Sequence, residues 1–116
     1  VERMRERFGT DPADLVCAIG PAASGRCYEI GADVIDAFSG NFPASEKYFT
    51  ATRDGHARVD LHGANKDQLI GVGVTPTAIF TSPLCTIERT DLFFSYRIEK
   101  KLHGKTGRLL SVIGKR

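Results

Sequence analysis

The sequence predicts an α+β (mixed α/β) fold in which helices and strands form layers around one core. Three observations support this prediction. A chain of 116 residues fits a single domain. Its apolar fraction of 41% and charged fraction of 26% are typical of a globular protein. Helix-like and strand-like segments follow one another in mixed order, without internal repeats or low-complexity linkers.

The N-terminal segment predicts a helix, a capped turn and a buried strand. Residues 1–8 form a charged helical stretch that a glycine, Gly9, would end. Asp11 at a cap position and Pro12 at the first helical position predict a single turn. The continuous apolar run at 15–19 predicts a central strand covered on both faces.

The middle of the chain predicts a strand, a helix and a hairpin. Alternation in the strand places Tyr28 and Ile30 on one face. The pair Asp54-Gly55 is typical of a tight turn between two antiparallel strands. The corresponding segments are a strand at 26–31, a helix at 32–38, and hairpin strands at 48–52 and 57–61.

The C-terminal part predicts one further helix and three strands. Apolar positions spaced by three and four residues predict a helix over 61–72. A short strand at 78–80 follows a Thr-Pro pair. The last two strands, at 93–97 and 109–113, would be joined by the basic loop between them as a long hairpin.

The stretch 84–108 carries the densest set of chemically useful side chains. Strand alternation would place Phe94 and Tyr96 on one face, and the other face would hold Phe93, Ser95 and Arg97. A hydroxyl and a guanidinium beside an aromatic ring suit an anionic or polar ligand. The alternative is a half-buried strand that ends in a solvated arginine.

The charge pattern favours neither nucleic acid nor a membrane as partner. The net charge of +2 implies no nucleic acid or acidic partner by itself. The region 97–116 holds seven basic residues against Glu99 alone, which suits phosphate or simply a solvated tail. No apolar run is long enough to cross a membrane, and no signal peptide is evident. A chain that begins with Val1 predicts the inside of a longer protein.

The cysteines and histidines predict reduced thiols and no metal site in this chain. An odd number of thiols, three, fits a cytoplasmic protein better than a disulfide framework. Cys17 would lie in the core, whereas Cys27 and Cys85 lie at loop-to-strand junctions and are better candidates for reactivity. A cysteine–histidine nucleophile pair is possible, but sequence selects none of its nine combinations. The histidines have no closely spaced partner: His56 and His103 would lie at the surface, and His62 would be partly buried.

Three segments in this order resemble the C-terminal half of the YfiH-like family. That family is also called the laccase-domain or multicopper polyphenol oxidase family, and its members are now regarded as purine nucleoside phosphorylases. The most specific of the three segments is the last. The segments are Ala18-Ile19-Gly20-Pro21 with Cys27-Tyr28-Glu29-Ile30-Gly31; Asp60-Leu61 with Ala64-Asn65 and Gln68-Leu69; and Cys85-Thr86 with Phe93-Phe94-Ser95-Tyr96-Arg97 and Thr106-Gly107-Arg108.

The resemblance implies a layered α/β/β/α sandwich, of which residues 1–116 would form the C-terminal part of one catalytic domain. It implies zinc, or copper by earlier descriptions, and phosphorolysis of purine nucleosides, with adenosine deamination and methylthioadenosine phosphorolysis as further activities. The family's metal ligands are a His, Cys, His set in the N-terminal half, which would precede Val1. No position here matches them, so we expect this chain to bind no metal alone and to be inactive. The sequence departs from the family pattern in ways that concern pocket shape. His62 replaces an aromatic residue, the loop 23–26 lacks the second cysteine or branched residue often found there, and the loop 98–105 is longer than usual.

Phosphorolysis requires a phosphate held beside the anomeric carbon and a route for protonating the departing base. A guanidinium offers phosphate a fork of donors. The expected substrate-binding residues are therefore two arginines, two hydroxyls, two aromatic rings and the two thiols of the matching segments. They are Arg97 and Arg108, Ser95 and Thr86, Phe94 and Tyr28, and Cys85 and Cys27.

Two other functions remain open. A fold that lacks its N-terminal half would expose apolar sheet edges, so the chain could be a non-catalytic module that self-associates or binds a partner or the missing half. A weaker alternative is a cysteine hydrolase that uses Cys27 or Cys85. Full activity after replacing both thiols with serine would exclude it.

Overall fold

The computed structural model describes residues 1–114, which form α-helices and two small β-sheets. This is the α+β architecture that the sequence predicts. The helices are α1 (Glu2–Phe8), α2 (Ala32–Asn41), α3 (Leu61–Gly71) and α4 (Tyr96–His103). The strands are β1 (Cys17–Ile19), β2 (Glu29–Gly31), β3 (Phe49–Ala51), β4 (His56–Val59) and β5 (Ile79–Thr81). Single 3₁₀ turns lie at Pro12–Asp14, Ser45–Tyr48 and Pro76–Ala78.

The N-terminal elements follow their local signals closely. Gly9 ends α1 in the left-handed conformation, with φ 64°, which glycine adopts without a steric penalty. The carboxylate of Asp11 accepts a hydrogen bond from the amide of Ala13 at 2.9 Å and so caps the turn that begins at Pro12. The predicted helix and capped turn are thus confirmed.

The first sheet pairs β1 with β5 in parallel, with Cys17 opposite Ile79 and Ile19 opposite Thr81. Helix α3 packs against both strands. The prediction that the 15–19 strand is covered on both faces is wrong for the described residues 1–114. Val16 remains 70% exposed and Phe80 60% exposed, because a two-stranded sheet with one helix against it leaves apolar positions open.

The second sheet is antiparallel, with the strand order β2, β4, β3. Its hairpin turns at Gly55, whose φ of 66° explains the glycine of the Asp-Gly pair. The aromatic rings of α2 and β3 pack together, with the Phe38 and Phe49 centroids 5.4 Å apart. The buried apolar residues come from both sheets, α3 and the following loops: Ile30, Ala57, Val59, Ala64, Val74, Ile79 and Cys85.

The C-terminal hairpin is the main error of the sequence-based prediction. Residues 96–103 form α4 instead of a strand, and 105–114 have no regular structure, so the alternation proposed for 93–97 does not apply. The carbonyl of Ser95 accepts hydrogen bonds from the amides of Ile98 and Glu99 and begins the helix. The run Glu-Lys-Lys-Leu has high helix propensity. Among residues 1–114, no strand pairs with the 109–113 segment, in which Leu110 is 87% exposed.

Within residues 1–114, every helix is too short or too polar to span a membrane. Lys115 and Arg116, the last two residues of the basic end, lie outside the described residues.

Candidate functional site

A cavity of about 260 Å³ opens where three distant segments of the chain meet at the first residue of α3, Leu61. These are the loop after β1 that leads into β2, the segment that follows β5, and the start of α4. Five of the eight expected substrate-binding residues contribute to its wall, together with Ala23, Leu61 and Tyr96. The five are Tyr28, Thr86, Phe94, Ser95 and Arg97.

Backbone hydrogen bonds fix the loop that carries Tyr28. The amides of Cys27 and Tyr28 both donate to the carbonyl of Ser24 at 2.9 Å, which closes a tight turn. The carbonyl of Tyr28 accepts from the amide of Val59 at 3.0 Å, at the end of β4. The loop therefore continues the antiparallel sheet, and the ring of Tyr28 has a defined position at the cavity wall.

Thr86 reaches the cavity because its segment continues the parallel sheet. Ala22 and Cys85 form an isolated parallel bridge beyond β1 and β5, and the amide of Thr86 donates to the carbonyl of Ala22 at 3.1 Å. Thr86 is 9% exposed and Ser95 is 4% exposed. Two nearly buried hydroxyls at one cavity wall are a good arrangement for hydrogen bonds to a ligand.

The start of α4 places a cation and unsatisfied donors at the cavity. Ser95 occupies the cap position, but its hydroxyl does not cap the helix, so it remains free for other partners. The guanidinium carbon of Arg97 lies 4.9 Å from the centroid of the Tyr28 ring, a cation–π contact between two of the expected residues. One face of the Tyr28 ring is therefore covered by Arg97.

Phe94 is held by the segment that follows α4. A Cβ atom on Gly107 would lie 2.6 Å from ring atoms of Phe94, so only glycine fits there without displacement. The hydroxyl of Thr106 donates to the carboxylate of Glu99 and fixes the same segment. Arg108 follows directly but is exposed and does not line the cavity, so its expected place in the site remains a prediction.

Cys27 and Cys85 lie next to the cavity residues in sequence but outside the wall itself. Cys85 is only 1% exposed, so the expected partial exposure of this thiol is wrong, and Cys17, expected in the core, is half-buried. The donor atoms of Cys27, Cys85 and Glu88 all lie within 4.8 Å of one another. Sequence reasoning missed Glu88, because a carboxylate three residues after a cysteine does not by itself indicate a ligand and its approach to Cys27 depends on the fold.

The two thiols have different electrostatic surroundings. Burial raises the pKa of Cys85, but the neighbouring Ser24 hydroxyl and the backbone amides of Ser24, Glu88 and Ile87 outweigh burial and bring that pKa below its ordinary value. Burial raises the pKa of Cys27, and the nearby Glu88 carboxylate and Cys85 add to this rise. Cys85 is therefore the more readily ionised thiol of the two.

The carboxylate of Glu88 is also paired with Arg26, whose guanidinium donates to it at 2.9 Å. Hydrogen bonds from Arg26 and Cys27 lower the pKa of Glu88, so this carboxylate is ionised near neutral pH.

The imidazoles lie in other surroundings. Nε2 of His62 lies 3.1 Å from the carbonyl oxygen of Gly20, and Nδ1 of His56 lies 2.9 Å from that of Asp54. In the described part of the chain, no imidazole is hydrogen-bonded to a thiol, and no histidine joins the thiol–carboxylate cluster. The residues present do not reproduce a His, Cys, His ligand set.

Comparison with known proteins shows which family the chain belongs to. The model of the family described as "Multi-copper polyphenol oxidoreductase laccase" matches residues 1–116. The chain belongs to this YfiH-like family. Among curated YfiH-like relatives, the purine nucleoside phosphorylase YlmD of Bacillus subtilis is 33% identical over 114 residues, and a purine nucleoside phosphorylase of Staphylococcus aureus is 40% identical over 115. Each alignment covers 98% of this chain, but only 40% and 42% of the relatives.

Solved YfiH-like structures share the fold. A Bacillus licheniformis hypothetical protein, YfiH, has a TM-score of 0.77 at 33% identity, and YlmD from Geobacillus stearothermophilus has 0.76 at 34%. Each match covers 84% of this chain, and 38% and 36% of the respective neighbours. The predicted family and α+β fold are thus confirmed, and the chain spans about two fifths of the length of its relatives.

Proposed function

We propose that residues 1–116 are the C-terminal part of one YfiH-like catalytic domain that cleaves purine nucleosides with phosphate. The observation that carries this proposal is that one cavity brings Tyr28, Thr86, Phe94, Ser95 and Arg97 together from distant segments. The relatives named purine nucleoside phosphorylase supply the substrate class.

The proposed phosphate position lies at the start of α4. Arg97 provides a fork of donors, and its guanidinium is held over the Tyr28 ring, which restricts its motion. The first amides of α4 and the hydroxyl of Ser95 add donors beside it. Lys100 and Lys101 lie along the same helix and line an adjoining concavity with Arg97, which increases the local positive charge.

The proposed nucleoside position uses the aromatic side of the cavity. Phe94 offers a ring to the purine, and the face of Tyr28 away from Arg97 offers another. The hydroxyl of Thr86 is a donor or acceptor for the ligand's polar groups. In the reaction, a phosphate oxygen bonds to the anomeric carbon, the bond from that carbon to the purine nitrogen breaks, and the departing base takes up a proton.

The other three expected residues do not line the cavity and would act on the ligand less directly. Arg108 would contact phosphate only if the segment after Gly107 turned its side chain towards α4. Cys27 and Cys85 support the wall through Tyr28 and Thr86, which follow them in sequence.

We infer that this chain alone is inactive, because the family's metal ligands have no counterpart among its residues. Zinc or copper, when bound by the whole protein, would supply electrophilic chemistry. The alternative function, a partner-binding module, is favoured by the open apolar positions Val16 and Phe80.

The test compares this chain with a version extended upstream to the full length of its relatives. Inosine or adenosine is assayed with phosphate, and the released base is measured. We expect turnover only in the extended protein.

Replacing Arg97 with Gln in the extended protein should raise the KM for phosphate roughly 10- to 100-fold, as loss of a charged hydrogen bond implies. Arg3→Gln, which removes an exposed ion pair with Glu6 within α1, is the matched control, since no residue of α1 lines the cavity.

An extended protein without phosphorolysis would contradict the proposal. An Arg97→Gln variant with an unchanged KM for phosphate would contradict the assigned role of this arginine. If the extended protein is inactive and light scattering shows that the 116-residue chain forms a defined complex, the partner-binding alternative replaces the enzyme.

A further inference from the structure

We propose that Cys27, Cys85 and Glu88 bind one divalent, thiolate-preferring metal ion of the zinc class. This site uses only residues of this chain and is separate from any His, Cys, His set upstream of it. It reverses the sequence-based expectation that the chain holds no metal. It does not depend on the proposed phosphorylase function, since none of its ligands lines the cavity.

The donor atoms are close enough for one ion. Two thiol sulfurs and one carboxylate oxygen lie within 4.8 Å of one another. Zinc binds sulfur at about 2.3 Å and carboxylate oxygen at about 2.0–2.2 Å, so tetrahedral ligands stand somewhat less than 4 Å apart. A contraction of about 1 Å at most, within reach of side-chain rotation, would bring all three into coordination.

The backbone fixes the two sulfurs independently of any ion. Cys85 forms a bridge with Ala22, and the amide of Ser24 donates to the Cys85 sulfur at 3.4 Å. The amide of Cys27 donates to the carbonyl of Ser24 at 2.9 Å, so one short loop positions both thiols. The amide of Arg89 donates to the carbonyl of Cys85 at 2.9 Å, in the turn that presents Glu88.

A buried hydroxyl group without a hydrogen-bond partner lies beside the two thiols. The hydroxyl of Ser24 is buried near both thiols, but it forms no hydrogen bond of good geometry with them or with any other of residues 1–114. Buried polar groups without partners are rare in folded proteins. Beside a metal-bound thiolate, this hydroxyl would donate to sulfur, as groups around metal ligands commonly do.

The charges balance for a divalent ion. Two thiolates and the carboxylate carry three negative charges, and the guanidinium of Arg26 offsets one of them. Arg26 contacts one carboxylate oxygen of Glu88, which leaves the other available. Glu88 is exposed and Cys85 is buried, so the ion would enter from the carboxylate side and retain an open position there. Bound metal would tie the 22–27 loop to the 85–88 segment behind the cavity.

The test is a Co²⁺ titration of the reduced 116-residue chain, followed by absorption spectroscopy. A thiolate-to-cobalt charge-transfer band should appear, saturate at one ion per chain and disappear when Zn²⁺ is added. We expect Cys27→Ser to abolish or strongly reduce the band, and Glu88→Gln to weaken Co²⁺ binding roughly tenfold or more. Zn²⁺ should raise the midpoint of thermal unfolding of the unsubstituted chain but not that of Cys27→Ser.

Cys17→Ser is the matched control, because Cys17 lies in β1 outside the cluster, and its spectrum should be unchanged. Cys85→Ser is checked for folding by circular dichroism; if it fails to fold, Cys27→Ser and Glu88→Gln carry the test. Absence of the band in the reduced chain, or a band that survives Cys27→Ser, overturns the proposal. A chain that forms a Cys27–Cys85 disulfide yet binds no Co²⁺ after reduction would also overturn it and reassign the pair to redox chemistry.

Discussion

The contact between Gly107 and Phe94 shows how a missing side chain shapes the cavity. The backbone at Gly107 approaches the Phe94 ring so closely that a Cβ atom would lie 2.6 Å from it. The ring is the aromatic wall proposed for the purine. Space, and not an unusual φ angle, is therefore what requires glycine at this position.

Replacing Gly107 with Ala should displace the Phe94 ring or the 106–108 segment. Because the Phe94 ring is 50% exposed and can turn aside, we expect the variant to lose only about 0.5–1.5 kcal/mol of unfolding free energy, the cost of an off-rotamer side chain. Urea unfolding measures this loss. Gly114→Ala is the control, because nothing lies within 4 Å of the position its Cβ would take. Equal stability of the two variants would show that the Phe94 contact is not constrained.

Two helix glycines should respond to the same substitution with opposite signs. Gly104 ends α4 with φ 69°, where a Cβ atom is strained, so Gly104→Ala should cost about 1 kcal/mol. Gly40 lies inside α2 with open space around it, so Gly40→Ala should stabilise the chain by up to about 1 kcal/mol. Urea unfolding of both variants provides the comparison. A stabilising Gly104→Ala would refute the assigned end of α4.

At the level of elements, the sequence correctly predicted the caps, turns and helices that depend on interactions between neighbouring residues. The cap at Asp11, the turn at Gly55 and the helix at 61–71 all appear where short-range signals indicated them. The strand at 93–97 was wrong, because alternation over five residues is a weak signal and the following charged run favours helix. Burial of β1 was also misjudged, since an apolar run does not reveal how many strands will flank it.

A polar contact links the 3₁₀ turn at Ser45–Tyr48 to α3. The carboxylate of Asp67 accepts from Lys47 at 2.6 Å and from the Tyr48 hydroxyl at 2.7 Å, and these bonds lower the pKa of Asp67 in that order of size. A depressed carboxyl pKa stabilises the fold above the unfolded-state value, and this contribution disappears as pH falls through the folded-state value.

Tyr48→Phe should therefore raise the pKa of Asp67 towards its ordinary value, because one donor to the carboxylate is lost. The stability that Asp67 contributes above its unfolded-state pKa should therefore be smaller in the variant, and its loss on acidification should be complete at a higher pH than in the unsubstituted chain. Carboxyl NMR titration measures the pKa, and unfolding at several pH values measures the consequence. Tyr96→Phe removes a hydroxyl that contacts Lys100 instead and serves as control. An unchanged Asp67 pKa in Tyr48→Phe would show that the hydroxyl bond does not form.

At the scale of the whole molecule, the family segments predicted which residues line the cavity. The predicted secondary structure did not predict how those residues are arranged. Tyr28, Thr86, Ser95 and Arg97 were selected from the family segments, and they meet although the strand meant to carry two of them is a helix. The Arg97–Tyr28 contact and the role of Glu88 depend on packing between distant segments. A single sequence carries no signal for such contacts.

The open sheet should make the chain associate. Phe80 in β5 is 60% exposed, and Phe80→Thr removes this apolar surface while keeping a residue that favours strands. We expect the variant to show a lower mass by light scattering than the unsubstituted chain at the same concentration. Leu102→Gln removes a 69% exposed residue of α4 and should leave the mass unchanged. An unsubstituted chain that is monomeric at all concentrations would contradict this prediction.

The parallel pairing of β1 with β5 has a consequence for the order of folding. The amide of Ser24 and the sulfur of Cys85 that it contacts are separated by 61 positions. Contacts between such distant positions are slow to form, because a long loop must close before they contribute. During synthesis, the hairpin of β3 and β4 can form early, whereas the cavity can close only after Arg97 has left the ribosome. A chain cut before that residue would lack one wall of the cavity.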